Sequence, residues 1–113
     1  MIRQFIEFCE DNNHAPPAPM REVRPRDELT YWAAGDPALT YQADPAVEMR
    51  AESGRAVYVQ RIVWEIRYLL LLENGDEFER GMIPDLGTAL EVARVWLAGG
   101  GMDDLPKARR FIL

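Results

Sequence analysis

Residues 62–99, IVWEIRYLLLLENGDEFERGMIPDLGTALEVARVWLAG, constrain the fold of this chain more than any other stretch. Trp64, Ile66, Tyr68, Leu70 and Leu72 recur at every second position, with Glu65 and Arg67 between them. A strand sends alternate side chains to opposite faces, so the spacing predicts a strand with five large residues on one face. Leu69 and Leu71 make its far end apolar on both faces, the pattern of a strand that is central or covered on its second side. Asn74-Gly75 then predicts a hairpin. Two registers compete. A two-residue turn sets Phe78 opposite Leu71 and Glu79 opposite Leu70, which brings a glutamate onto the Trp64 face. A three-residue loop over Glu73 to Gly75, with Gly75 left-handed, sets Phe78 opposite Leu70 and Met82 opposite Ile66. That arrangement keeps Glu77 and Glu79 off the core face. One residue of slip exchanges the faces, so burial favours the three-residue loop.

The hairpin leads into an amphipathic helix. Thr88 and Glu91 have the spacing of a capping box, and Asp85 competes as N-cap one turn earlier. Leu86, Ala89, Leu90, Ala93, Trp96 and Leu97 fall on one stripe, while Glu91 and Arg94 face water. Gly99 to Gly101 stop the helix. A hairpin followed by a helix with one apolar face is half of a two-layer sandwich. The expected fold is therefore α+β, a single domain over residues 1–113. It has an antiparallel sheet of about four to six strands and a C-terminal amphipathic helix packed on one face.

The rest of the chain is less patterned. In Met1 to Asp11, Ile2, Phe5, Ile6 and Cys9 fit a helical face, but the segment is short, rich in β-formers and acidic at its end. Helix and strand stay equally open there. Residues 12–28 hold four prolines and predict a loop. Leu29 to Ala33 suits a short strand. DPALTYQA, from Asp36, is echoed at once by DPAVEMRA, from Asp44, a period of one short strand and one turn. Asp44-Pro45 also suits the start of a short helix, but the alternation of Val47, Met49 and Ala51 favours strand. Ser53-Gly54 is the next turn. No breaker lies between Arg55 and Glu73, a span too long for one strand, so a bulge or bend is expected near Gln60-Arg61. The tail from Met102 ends in Phe111-Ile112-Leu113, which suits either fraying or docking as a last strand.

No residue set announces a reaction. His14 is the single histidine and has no serine, cysteine or carboxylate at a motif spacing, so it reads as a surface residue. Cys9 and His14 together supply two ligands where a structural zinc site needs four. The single cysteine excludes an intrachain disulfide, and Glu7, Glu10 and Asp11 oppose a thiolate, so Cys9 reads as a core residue. Gly99 to Gly101 follow a helix instead of opening one and carry no lysine, so they are not a phosphate cradle. Glu77 and Glu79 share a strand face as an acid–base pair would, but a solvated outer face explains them more simply. The expectation is a non-enzyme with no cofactor and no metal.

Charge remains. The net charge of −6 argues against direct nucleic-acid binding. No run of about 18 apolar residues suggests a membrane span. The absence of a basic-then-apolar start predicts a cytoplasmic protein. Glu73, Asp76, Glu77 and Glu79 crowd one hairpin tip, and Asp103-Asp104 are candidates to join them. Such a cluster is either a solvated turn or a patch that meets a basic protein. Tyr31-Trp32, an aromatic pair near loops, is core or an interface anchor.

The segment GMIPDLGTALEVARVWLAGGG, residues 81–101, resembles the immunity proteins of bacterial polymorphic toxin systems. In one large group of these, which includes proteins that neutralise deaminase toxins, a sheet strand runs into an "IP…A…" turn and helix. An aromatic residue and a glycine-rich stop follow. The group's closing Pro-plus-Trp pattern is absent after Gly101, which leaves the toxin type open. The resemblance implies a protein that binds a secreted effector's toxin domain and blocks its active site. Two other readings stand beside it. One is a different protein-binding inhibitor, such as a phage-encoded nucleic-acid mimic, against which the 13 basic residues count. The other is a small ligand-binding or enzymatic module, which a deep polar pocket beside the sheet would favour.

Overall fold

A computed structural model describes residues 2–23, 46–62 and 67–101. They form an antiparallel five-stranded sheet in sequential order: β1 (Met20–Val23), β2 (Ala46–Arg50), β3 (Ala56–Ile62), β4 (Arg67–Asn74) and β5 (Glu77–Ile83). Two helices, α1 (Ile2–Asp11) and α2 (Leu86–Leu97), share one face of it. The α+β class and the C-terminal helix on the sheet are as the sequence predicts. Tyr68, Leu70 and Leu72 of β4 lie in one buried cluster with Val57, Val59 and the α2 residues Ala89, Leu90, Ala93 and Trp96. Trp64 and Ile66, the start of the predicted strand face, lie outside the described residues, as do Leu29 to Ala33, Asp36 to Ala43 and the tail from Met102. No helix among the described residues is long and apolar enough to cross a membrane.

The N-terminal segment resolves to helix. Phe5 and Cys9, one turn apart, are fully buried against the sheet and α2. That burial outweighs the β-forming composition and the acidic end. Gly87, in the first turn of α2, lets the helices meet closely: a Cβ there would sit 3.3 Å from the Phe8 ring. The Pro-rich stretch is not loop throughout, because β1 begins directly after Pro19. Proline is tolerated there, where the chain enters a strand.

The predicted strand at Val47 and Met49 is β2, and both residues are buried. Ala51 donates its N–H to the Arg55 carbonyl (2.9 Å), closing the Ser53-Gly54 turn into β3. The bend expected near Gln60-Arg61 is not there: both residues lie within β3, paired with Leu69 and Tyr68 of β4. β3 and β4 pair antiparallel from Ala56↔Glu73 to Ile62↔Arg67, so the long unbroken run is two strands. Apolar alternation on both sides of a reversal free of Gly and Pro reads as one continuous strand.

The hairpin register also differs from both sequence alternatives. Asn74 pairs with Glu77, Glu73 with Phe78 and Leu72 with Glu79, so the turn residues are Gly75 and Asp76. Gly75 has φ 64° and Asp76 is not left-handed, the pattern of a type II′ turn with glycine first. Paired residues share a face, so Glu79 lies on the helix side beside Leu72, and Phe78 on the other.

Asp85, not Thr88, caps α2. Its Oδ1 accepts from the Thr88 N–H (2.7 Å) and hydroxyl (2.9 Å). A carboxylate also suits the positive end of the helix dipole, which a threonine hydroxyl cannot match. Arg94 does not simply face water, since it donates to the Ala15 carbonyl (3.0 Å) and ties α2 to the chain after α1. The glycine stop is as predicted. The Gly99 N–H donates to Trp96 and the Gly100 N–H to Val95, with Gly99 at φ 100°, which is a Schellman closure.

The second sheet face is also buried. Ala46, Ala56, Tyr58, Leu69 and Leu71 form its cluster, with Val23 and Met82 packed against them. A polar chain crosses it. Arg21 Nε donates to Glu48 (2.7 Å), and Arg50 Nη2 donates to the Tyr58 hydroxyl (2.7 Å). The same Arg50 nitrogen lies 3.7 Å from Glu48 and 3.5 Å from Glu73. The Arg21 hydrogen bond, with lesser help from Tyr58 and Arg50, holds the Glu48 carboxyl below its usual range in spite of burial.

Candidate functional site

The four acids predicted at the hairpin tip divide into two kinds. Asp76, Glu77 and Glu79 are exposed, and their carboxylates make no hydrogen bond or ion pair among the described residues. Glu73 does not belong with them. Its carboxylate turns to the second sheet face, is only 15% exposed and pairs with Arg50. Asp103, Asp104, Tyr31 and Trp32 lie outside the described residues.

The three unpaired acids sit on a firmly held support. Trp96 is nearly buried, and its indole N–H donates to the Glu73 carbonyl (3.2 Å), pinning the end of β4 to the end of α2. Arg55 stacks on the Trp96 ring at 4.4 Å from its centroid. Its Nη1 also donates to the carbonyls of Trp96 (3.0 Å) and Gly100 (2.6 Å). A cation at a helix C-terminus is favoured by the dipole and by carbonyls that lack helical donors. Three segments distant in sequence therefore meet at the base of the hairpin. Sequence reasoning did not assign Arg55, Asn74 or Phe78 to the site. Their partners are far away in the chain, and only the tetrad's unusual charge density marked the region.

Between the hairpin and the end of α2 lies a cleft of about 540 Å³. Its lining includes Glu77 and Glu79 of β5 together with Arg55 and Trp96, while the Phe78 side chain, which borders it, faces the other side of the sheet. Phe78 is 40% exposed, one of two large apolar side chains so placed among the described residues. The remaining candidates have no reactive setting. His14 is exposed at the margin of a smaller cleft with Asp85 and Arg94. Cys9 is buried, and burial pushes its thiol pKa up, with Arg94 acting against the shift and Glu10 reinforcing it. Among the described residues no group of three or more His, Cys, Asp or Glu is placed to hold a metal ion.

No family model, curated protein or solved structure matches this chain. The site is therefore read from its own chemistry: exposed carboxylates at the end of a hairpin whose base is held by Trp96 and Arg55.

Proposed function

We propose that this chain is a cytoplasmic immunity protein that binds the toxin domain of a bacterial effector and neutralises it by contact. The partner offers a basic surface, and the acidic end of the β4–β5 hairpin recruits it. The observation that carries this reading is that the carboxylates of Asp76, Glu77 and Glu79, within four residues, stand exposed and unpaired among the described residues. Their mutual repulsion contributes nothing to the fold, whereas a positive partner surface would relieve it. Two further features support the reading. The hairpin base is held by Arg55 and Trp96, and a preorganised contact surface loses less entropy on binding. The strand, Pro84-Asp85 turn, capped helix and glycine stop of residues 81–101 follow the order of elements that the resemblance to immunity proteins implies.

Neutralisation by contact needs no catalytic step and no cofactor. The test is protection. A chain with this role is encoded directly beside a secreted toxin, and its co-expression with that toxin domain restores growth. A folded chain that leaves the neighbouring toxin lethal, or a locus with no toxin gene, refutes the role.

A further inference from the structure

Among the described strands, β1 and β5 are the edges of the sheet. β1 pairs with β2 alone, from Met20↔Met49 to Val23↔Ala46. In an antiparallel ladder every second residue turns its N–H and C=O away from the partner strand, so β1 presents backbone donors and acceptors on its outer side. Pro19 has no N–H to add, so that row begins at Met20. A cleft of about 390 Å³ adjoins it. Its described lining is Ile6 of α1 with Pro16, Ala18, Pro19 and Met20, all of them apolar. None of that lining comes from β2 or α2, so the cleft opens at the margin of the sheet, between α1 and the start of β1. Ile6 is 38% exposed there, although its helix buries Phe5 and Cys9 on the adjoining face. Met20 packs against the helix-side core, and alternation places Glu22 on the same face. Glu22 is exposed, and its carboxylate has no partner among the described residues.

We infer that the groove between α1 and β1 takes an extended segment of a protein partner, which adds to the sheet as a strand beside β1. Three features specify that segment separately. The open backbone edge selects an extended chain over a helix or a small molecule. The apolar cleft takes a branched aliphatic side chain from the residue opposite Met20. Glu22 selects a cation two positions away, because directly opposed residues share a face. In antiparallel order the segment reads cation, spacer, aliphatic. A second copy of this chain does not meet those demands. Two β1 strands paired antiparallel about a two-fold axis keep their faces aligned only when the axis passes through one residue. Through either central residue that sets Arg21 on Arg21 or Glu22 on Glu22, and through Met20 it brings Pro19 into the ladder. The groove lies at the opposite edge of the sheet from the β4–β5 hairpin and does not rest on the immunity reading.

The experiment titrates the full ¹⁵N-labelled chain with acetyl-Thr-Lys-Thr-Leu-Thr-amide. Saturable shifts are expected at the amides of Met20 to Val23 and of Ile6. Replacing the peptide's leucine with asparagine should weaken binding at least about tenfold, the loss of one buried aliphatic side chain. Of two peptides N-methylated at alternate residues, only the one methylated on the side facing β1 should lose binding. On the protein, Ile6→Gln should reproduce the loss seen with asparagine, and Glu22→Lys should turn the preference from lysine to glutamate in the peptide. Absence of saturable shifts, shifts away from β1 and α1, equal loss from both methylation patterns, or indifference to the leucine overturns the inference. A dimer that forms on concentration, with its shifts at β1, assigns the edge to a second copy and overturns it too.

Discussion

Replacing Trp96 with alanine tests the packing of helix on sheet and the support of the hairpin together. The side chain is 5% exposed and sits among Leu72, Val57 and the buried residues of α2 in one cluster. Truncating a buried tryptophan costs about 3–5 kcal/mol. Two specific losses add to this. The Glu73 carbonyl loses its indole donor, worth about 1 kcal/mol, and Arg55 loses its stacking surface, worth about 0.5–1 kcal/mol. The sum is about 4.5–7 kcal/mol, against a total stability of about 5–15 kcal/mol for a typical domain. At about 4 °C per kcal/mol for a chain of this size, the melting temperature should fall by roughly 18–28 °C. Trp96→Phe keeps most of the volume and removes the hydrogen bond, so it should cost only about 1–2 kcal/mol. Urea titration followed by far-UV circular dichroism measures both. A Trp96→Ala protein within about 1 kcal/mol of the parent, at unchanged dependence on urea, would refute the placement of this ring in the core.

Three further outcomes are expected. Asp85→Ala should destabilise the protein by about 1–2 kcal/mol in the same urea assay, because the Thr88 N–H and hydroxyl lose their acceptor, while Asp85→Asn should cost less. The Glu48 carboxyl has its folded pKa below its unfolded value, so its contribution is present above the ordinary 4.5 and is lost as pH falls through the folded value. Urea midpoints measured from pH 7 downwards should therefore drop in the acid range, and Glu48→Gln should flatten that drop. His14→Ala and Cys9→Ser should leave protection in the co-expression assay intact, since neither residue has a reactive setting; loss of protection by a folded His14→Ala protein would mark it as functional.

The helix and the central strands are legible in the sequence because their signals are local. The stripe from Leu86 to Leu97 and the Val47–Met49 alternation need no knowledge of the rest of the chain. The hairpin register fails on an assumption about cover. Burial selects a register only where a face is covered along its whole length. Here Glu77 and Glu79 lie on the helix side and are nevertheless exposed. Glycine at the first turn position then decides, through its positive φ. The β3–β4 reversal carries neither glycine nor proline and so leaves no mark in the composition.

The candidate site is legible only as a charge density. Glu73 looks like its neighbours in sequence, but Arg50, two strands away, removes it from the patch. Arg55 and Trp96 are 41 residues apart, and nothing local to either predicts their contact. Placing the terminus of α2 against the hairpin base requires the sheet order, which the sequence does not state. The capping contest at Asp85 is a smaller case of the same kind. Both candidates were visible, and the helix dipole decides between them.

The central claim is that the exposed acids of the hairpin tip recruit a basic partner. It is tested most directly by the association rate of the chain with the purified toxin domain from its own locus, with and without Glu77→Lys/Glu79→Lys, at low and high salt. Charges at the edge of an interface act mainly on encounter, so reversal should slow association far more than it speeds dissociation. The difference should shrink as salt rises, because exposed charges are screened beyond about 8 Å at physiological ionic strength. An association rate that is unchanged at low salt by reversal of both glutamates would contradict the account.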